Sequence, residues 1–157
     1  FIGSNAVGKT SIIHSIIYRK FLRAPFPTIG LSFHDWSVHI HDREVKMCII
    51  DTAGHESFRN IISECSRNSN AFVFVYDVTD RTSFLALDDW LETVLTPGSK
   101  FKSFFVANKI DLANYSMVSK QEGVEYAKSK GGIFIETSAK TGEGINDLIN
   151  SIAIETI

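Results

Sequence analysis

Cysteine is scarce in this chain, and so are the other features that mark secreted and membrane proteins. Only Cys48 and Cys65 occur, and they form no C-x-x-C pair, so neither a disulfide framework nor a cysteine-rich zinc site is expected. No apolar run approaches the ~18 residues of a membrane span, and the first residues lack the basic-then-apolar pattern of a secretory signal. These absences predict a soluble, cytoplasmic protein.

Linkers, repeats and a strong charge imbalance are also missing. No Pro/Gly/Ser-rich stretch divides the chain, and no segment is repeated. Hydrophobic residues make up 44% of the sequence and charged residues 22%, which is ordinary for a globular domain. The net charge of -2 argues against a broad nucleic-acid-binding face. We therefore expect one domain, residues 1–157, without a nucleic-acid partner.

Apolar patterns predict strands that alternate with helices. Buried strands are predicted at residues 49–51, 71–77, 103–109 and 133–137. Helical spacing is found after residue 10 and around residues 84–95, 124–127 and 145–152. Residues 31–40 and 45–50, joined by the polar segment HDRE, predict an antiparallel hairpin. The other strands then form a mostly parallel sheet covered on both faces, which binds ligands beyond the carboxyl ends of its strands.

A glycine-containing loop, GSNAVGKT, lies close to the start of the sequence. Its spacing, Gly3-x4-Gly8-Lys9-Thr10, matches a P-loop, whose backbone N–H groups cradle phosphates while the lysine reaches the terminal ones and the hydroxyl holds Mg²⁺. Glycines allow close approach of the backbone, and the following helix offers its N-terminal N–H groups to an anion. A turn that merely caps a helix is the alternative. The strand-like Phe1-Ile2 before the loop and the helical pattern after it favour the P-loop.

Three further polar segments follow predicted strands. In NKID, residues 108–111, the carboxylate of Asp111 can accept both the N1–H and the N2–H₂ of guanine. Adenine has an acceptor at N1, so Asp111 disfavours an ATP-using kinase or motor. In DTAG, residues 51–54, Asp51 can hold Mg²⁺ through water. Alone, NKID, DTAG and ETSAK (residues 136–140) are each also compatible with an ordinary turn.

The four motifs in this order resemble the small GTPases of the Ras superfamily across essentially the whole chain. PTIG at 27–30, VYDVTD at 75–80 and SFLALDDWL at 83–91 are most similar to the Rab branch. The resemblance implies an α/β P-loop NTPase fold: a six-stranded, mostly parallel sheet with one antiparallel edge strand and about five flanking helices, in a three-layer sandwich. By the same comparison, the first strand is truncated at its N-terminal end, and the C-terminal tail usual in Rab proteins is not present in this sequence.

The resemblance further implies a role for each site residue. Lys9 would bind the β and γ phosphates, and the N–H of Gly54 would sense the γ phosphate. Phe21 would pack edge-on against guanine, and the N–H of Ala139 would point to its O6. The nucleotide-binding set is Asn5, Ala6, Val7, Gly8, Lys9, Thr10, Ser11, Phe21, Thr28, Gly54, Asn108, Lys109, Asp111, Ser138, Ala139 and Lys140. The Mg²⁺ set is Thr10, Thr28 and Asp51, and the catalytic set is His55, Lys9 and Gly54.

The sequence departs from the family pattern around the γ phosphate and in the switch II region. His55 stands where a glutamine normally aligns the attacking water; its neutral ring could accept a hydrogen bond from water, but its protonated ring could not. Asn5 replaces a usual glycine or serine, and would either obstruct an activating arginine or hydrogen-bond the phosphate. Ile50 and Cys65 replace two aromatic residues that Rab effectors commonly read, while Phe33 is kept.

The leading hypothesis is a monomeric molecular switch that binds GTP or GDP with Mg²⁺, hydrolyses GTP slowly and acts in vesicle trafficking. Exchange factors, activating proteins and effectors would contact residues 22–36 and 52–68, and only an unseen tail would attach it to the cytosolic face of endomembranes. The alternative is a hydrolysis-impaired GTP-binding scaffold, one half of a multi-domain protein. A metal pair at His39 and His41 is disfavoured because no third ligand is evident.

Overall fold

The computed structural model describes residues 1–157 and contains five strands and six helices. The strands are β1 (Leu31–Ile40), β2 (Arg43–Thr52), β3 (Ala71–Asp77), β4 (Lys102–Asn108) and β5 (Ile133–Glu136). The helices are α1 (Lys9–Tyr18), α2 (Arg59–Ser66), α3 (Arg81–Leu85), α4 (Leu87–Val94), α5 (Lys120–Ser129) and α6 (Ile145–Thr156). Short 3₁₀ turns lie at Glu56–Phe58 and Ile110–Tyr115.

Strands β3, β4 and β5 form a parallel sheet in that order, as the apolar runs predict. Strands β1 and β2 form the predicted antiparallel hairpin, in a register that runs from Leu31 opposite Thr52 to Ile40 opposite Arg43. The connection is shorter than the predicted HDRE segment because only His41 and Asp42 lie between the paired strands. His41 has φ 53°, which a tight hairpin turn requires.

The expected six-stranded sheet is not what the structure shows. The hairpin and the parallel sheet are separate, and only Phe1 and Ile2 lie between them. The terminal amino group of Phe1 donates to the carbonyl of Ile50 (2.8 Å), and the N–H of Ile2 donates to the carbonyl of Val73 (2.8 Å). Ile2 therefore forms a single parallel bridge with Phe74. Two residues provide too short a ladder for a sixth strand.

Helices cover both faces of the parallel sheet. Along β3, Phe72, Phe74 and Tyr76 face a core that includes residues of α3, α4 and α5. Val73 and Val75 alternate with them and pack with residues of α1 and α6 on the other face. The expected helix over residues 84–95 is divided into α3 and α4, so the structure has six helices where about five were predicted. None of the helices is both long and apolar enough to cross a membrane.

His39 and His41 do not form the side-by-side pair that strand alternation predicts. His39 lies on β1, but His41 has left the strand and lies in the turn. Both side chains are exposed. No group of three or more His, Cys, Asp or Glu side chains is positioned to hold a metal ion anywhere in the structure.

Candidate functional site

The glycine-containing loop passes directly into α1, as its sequence predicts. Gly8 caps the helix with φ 101°, a conformation that residues with a Cβ rarely adopt. A Cβ at Gly8 would also collide with the side-chain amide of Asn108. That amide donates to the carbonyl of Val7 (2.9 Å), so the end of β4 fixes the shape of the loop. Ala6 has φ 63° and lies at another position where glycine would be less strained.

Lys9 is held in the centre of this loop. Its side chain is buried, and Nζ donates to the carbonyls of Gly3 and Ser4, each at 2.8 Å. Burial lowers the pKa of Lys9 to about 8, although the nearby carboxylate of Asp51 acts in the opposite direction. An anionic phosphate beside Nζ would favour the charged form and raise this pKa again.

We expect nucleotide binding to take up a proton at Lys9 when the pH exceeds about 8. In the free protein the pKa of Lys9 is about 8, so above that pH much of the lysine is neutral and must be protonated as it meets the phosphates. Affinity for GDP should then fall by up to about tenfold per pH unit. Calorimetry at pH 8.5 in two buffers of different ionisation enthalpy measures the uptake. Lys9→Arg is the control, because arginine stays charged; equal proton uptake by both proteins would contradict the assignment.

Three oxygen-bearing side chains meet next to Lys9. Thr10 Oγ1 donates to Asp51 Oδ2 at 2.6 Å and lies 2.9 Å from Thr28 Oγ1. Thr28 Oγ1 also donates to Asp51 Oδ2, at 3.3 Å. The other carboxylate oxygen, Asp51 Oδ1, is buried and has no hydrogen-bond partner in the protein. Hydroxyl and carboxylate oxygens are the ligands that Mg²⁺ prefers, so this donor set fits the predicted metal.

The NKID and ETSAK segments lie together at the far end of the site. Asp111 is exposed to the cleft and accepts a hydrogen bond from Ser138 Oγ at 2.6 Å. Ser138 is fully buried, so it holds the carboxylate from behind. Asn108 Oδ1 accepts from Thr137 Oγ1 (3.0 Å) and from the N–H of Ala139 (3.3 Å). The N–H of Ala139 is expected to point to guanine O6, but in this structure it donates to Asn108 Oδ1.

Lys109 joins the two halves of the site. Its φ is 67°, and its ammonium group lies 2.5 Å from Asp77 Oδ2 at the end of β3. The same group donates to the carbonyl of Ala6 (2.7 Å) in the phosphate loop. The aliphatic stem of the side chain thus runs across the site, where it can cover a flat ring.

These segments enclose a cleft of about 660 Å³, within the size range of small-molecule sites. Most of the predicted nucleotide-binding residues line it: Asn5, Ala6, Gly8, Lys9, Thr10, Ser11, Phe21, Thr28, Gly54, Asn108, Lys109, Asp111, Ala139 and Lys140. Val7 and Ser138 do not, because the side chain of Val7 belongs to the core and Ser138 is fully buried. The site predictions did not include Leu22, Arg23, Pro25, Phe26, Pro27, Thr52 and Leu112, which also line the cleft.

His55 lies outside the cleft, at the start of the 3₁₀ turn Glu56–Phe58. It is exposed and does not line the cleft. Its Nδ1 accepts a hydrogen bond from the N–H of Ser57 (3.1 Å) and lies 2.7 Å from Ser57 Oγ. His55 thus caps the 3₁₀ turn that precedes α2. Nδ1 is thus already hydrogen-bonded here, and the contact of the neutral ring with water stays a prediction.

A comparison with known protein families agrees with the nucleotide site that the geometry of the cleft indicates. The model of the Ras family matches residues 1–157. The chain belongs to the Ras family. Members of this family are GTPases that bind GTP and GDP with Mg²⁺, and a P-loop α/β fold is the family's fold. The superfamily assignment made from the four motifs is therefore confirmed.

Two curated relatives carry the name DnaJ homolog subfamily C member 27, one from Homo sapiens and one from Pongo abelii. Each is 38% identical to the chain over 162 aligned positions. The alignment covers 99% of the chain but 59% of each relative. The Ras-family chain thus spans about three-fifths of the length of these relatives.

Proposed function

We propose that this chain is a guanine-nucleotide switch that binds GTP or GDP together with Mg²⁺ and hydrolyses GTP slowly. The observation that carries the proposal is the convergence of four separate turns on one cleft. The phosphate loop places Lys9 at one end, DTAG places Asp51 behind Thr10, and NKID and ETSAK place Asp111 at the other end. Each turn supplies the chemistry that one part of the nucleotide requires.

Different residues would bind the phosphates and the base. The ammonium group of Lys9 neutralises negative charge on the terminal phosphates. Thr10 and Thr28 would hold Mg²⁺, with Asp51 behind them, and the metal would neutralise further charge on those phosphates. Asp111, oriented by Ser138, would select guanine by accepting from N1–H and N2–H₂. Lys109 would cover the ring, and Phe21, which lines the same cleft, would contact its edge.

Two exposed segments are proposed to report which nucleotide is bound. Thr28 lies in residues 22–36 and Gly54 in residues 52–68, and both residues line the cleft. Phe26 and Ile29 flank Thr28, and their side chains are 93% and 84% exposed. A γ phosphate that fixes Thr28 and Gly54 would therefore also fix the apolar surface beside them. We propose that exchange factors, activating proteins and effectors contact these two segments.

Single-turnover hydrolysis tests the proposal. Purified protein loaded with GTP is mixed with Mg²⁺, and phosphate release is followed over time. We expect release that is slow but faster than that of GTP in buffer, and we expect Lys9→Ala to abolish it. Release no faster than that of free GTP would contradict the hydrolysis, and failure to retain GTP at all would contradict the switch.

A GTP-binding scaffold with little hydrolysis is the second candidate. The position of His55 favours it, because the residue expected to align water caps a turn outside the cleft. The relatives named DnaJ homologs are longer than this chain, which is compatible with a nucleotide-binding module within a larger protein. Retention of GTP without phosphate release would favour this candidate.

The Rab-like segments support the finer parts of the proposal. PTIG, VYDVTD and SFLALDDWL favour a monomeric protein of vesicle trafficking on the cytosolic face of endomembranes. Ile50 and Cys65 stand where Rab effectors usually meet aromatic side chains, so the proposed partners would differ from the usual Rab effectors.

A further inference from the structure

We propose that Asn5, and not His55, orients the water that attacks GTP in this protein. The inference rests on the proposed function and names the residue that performs one of its steps. Hydrolysis forms a bond from the water oxygen to the γ phosphorus and breaks the bond from that phosphorus to the β–γ bridging oxygen. The electron pair leaves with GDP, and a proton of the water passes to a phosphate oxygen. A residue that accepts a hydrogen bond from this water both orients it and helps its proton to leave.

His55 cannot accept from water while it caps the 3₁₀ turn. A ring nitrogen that accepts a hydrogen bond carries no proton, and Nδ1 accepts from the N–H of Ser57 at 3.1 Å. The proton of the neutral ring is therefore on Nε2, which can only donate. Protonating the ring would turn Nδ1 into a donor and break the cap, so neither charge state provides an acceptor in this conformation.

Asn5 has the chemistry that His55 lacks. Its carboxamide oxygen can accept from water while its NH₂ group donates to a phosphate oxygen, the same pair of groups that a glutamine offers. Asn5 is exposed and lines the cleft. Its side chain is not committed to any hydrogen bond within the protein, whereas the amide of Asn108 in the same cleft is bonded at both its nitrogen and its oxygen.

The backbone places Asn5 at the terminal-phosphate end of the cleft. It follows Ser4, whose carbonyl accepts from Lys9 Nζ. Gly54 packs directly on it: a Cβ at Gly54 would lie 2.5 Å from the backbone nitrogen of Asn5, closer than atoms can approach. Asn5 therefore lies where the phosphate loop and the DTAG segment meet. A water in line with a γ phosphate sensed by Gly54 would lie near this junction.

Single-turnover hydrolysis by Asn5→Gly and Asn5→Gln tests the inference. We expect Asn5→Gly, saturated with GTP, to hydrolyse it about 100-fold more slowly than the wild type, the low end for loss of one positioned group. Asn5→Gln should keep most of the rate. Asn70→Gly is the matched control, because Asn70 is exposed and lies outside both the cleft and residues 52–68. An unchanged or faster rate in Asn5→Gly would overturn the inference and show that Asn5 is inert or obstructive.

Nuclear magnetic resonance provides a readout that does not depend on turnover. The side-chain NH₂ signals of Asn5 are identified by their loss in Asn5→Gly. We expect them to shift when GDP is replaced by the non-hydrolysable GTP analogue, since the amide then meets the γ phosphate and its water. Unshifted signals would overturn the inference while leaving the proposed function intact. A wild type that binds GTP but releases no phosphate would overturn the inference together with the enzymatic part of that function.

Discussion

Replacing Asp111 with asparagine is expected to weaken GDP binding by about 10³-fold, because a hydrogen bond to a charged group and a buried donor left without a partner are each worth about 1–3 kcal/mol. The carboxylate of Asp111 can accept from two guanine N–H groups, whereas asparagine would face one of them with its own NH₂ group. The fold should survive, since Asp111 is exposed and its hydrogen bond comes from the hydroxyl of Ser138. Titration with GDP and a thermal melt of the free protein measure the two effects.

Xanthosine diphosphate provides a gain-of-function control for Asp111→Asn. Xanthine carries a carbonyl where guanine carries its amino group, so the NH₂ of the introduced asparagine can donate to it. We expect the variant to bind the xanthine nucleotide more tightly than the wild type does. Asp42→Asn, in the exposed hairpin turn, makes the same change of charge away from the cleft and should leave both affinities alone. Undiminished GDP affinity in Asp111→Asn would refute the assignment of the base pocket.

Replacing Asp51 with asparagine is expected to weaken the Mg²⁺ affinity of the GDP complex by about 10- to 100-fold, the usual loss when a group behind a metal ligand is changed. Asp51 is 2% exposed and accepts from Thr10 and Thr28. An asparagine oxygen can accept the same bonds but lacks the charge that attracts the cation. Release of a fluorescent GDP, measured across a Mg²⁺ titration, gives the affinity.

A second measurement on Asp51→Asn distinguishes lost charge from lost structure. The carboxylate of Asp51 raises the pKa of Lys9 against the effect of burial, so its neutralisation should lower that pKa further. Proton uptake on GDP binding should then begin at a lower pH than in the wild type. Asp35→Asn, an exposed change on β1 outside the cleft, is the control. A wild-type Mg²⁺ dependence in Asp51→Asn would contradict the proposed metal site.

The parts of the fold that follow from local patterns were predictable. The continuous apolar run at 71–77 gives β3 at its observed bounds, and alternation over residues 31–40 gives β1. Helix α2 was not predicted, because only Ile62 and Ser66 of its eight residues are buried and its apolar pattern is short. The break between α3 and α4 was also missed, since the same face stays apolar across Ala86.

The candidate site likewise has parts that follow from local sequence and parts that depend on contacts between distant residues. The spacing of the motif alone places Lys9 and Thr10 beside the phosphate loop, because the loop and the start of α1 are contiguous in sequence. The contacts of Lys109 with Asp77 and with Ala6 join residues far apart in the chain, and no local pattern encodes them. The cap at His55 is local but was not foreseen, because side chains that cap a turn are usually those of serine, threonine, aspartate or asparagine.

Calorimetric titration with GDP and with ADP, each in the presence of Mg²⁺, tests most directly whether the four turns form a guanine-nucleotide site. The arrangement of Lys9, Thr10 and Asp111 around one cleft, with Asp51 hydrogen-bonded to Thr10, predicts that GDP binds at least about 100-fold more tightly than ADP, because only guanine satisfies the carboxylate of Asp111. Equal affinities for the two nucleotides, or no binding of either, would contradict the account.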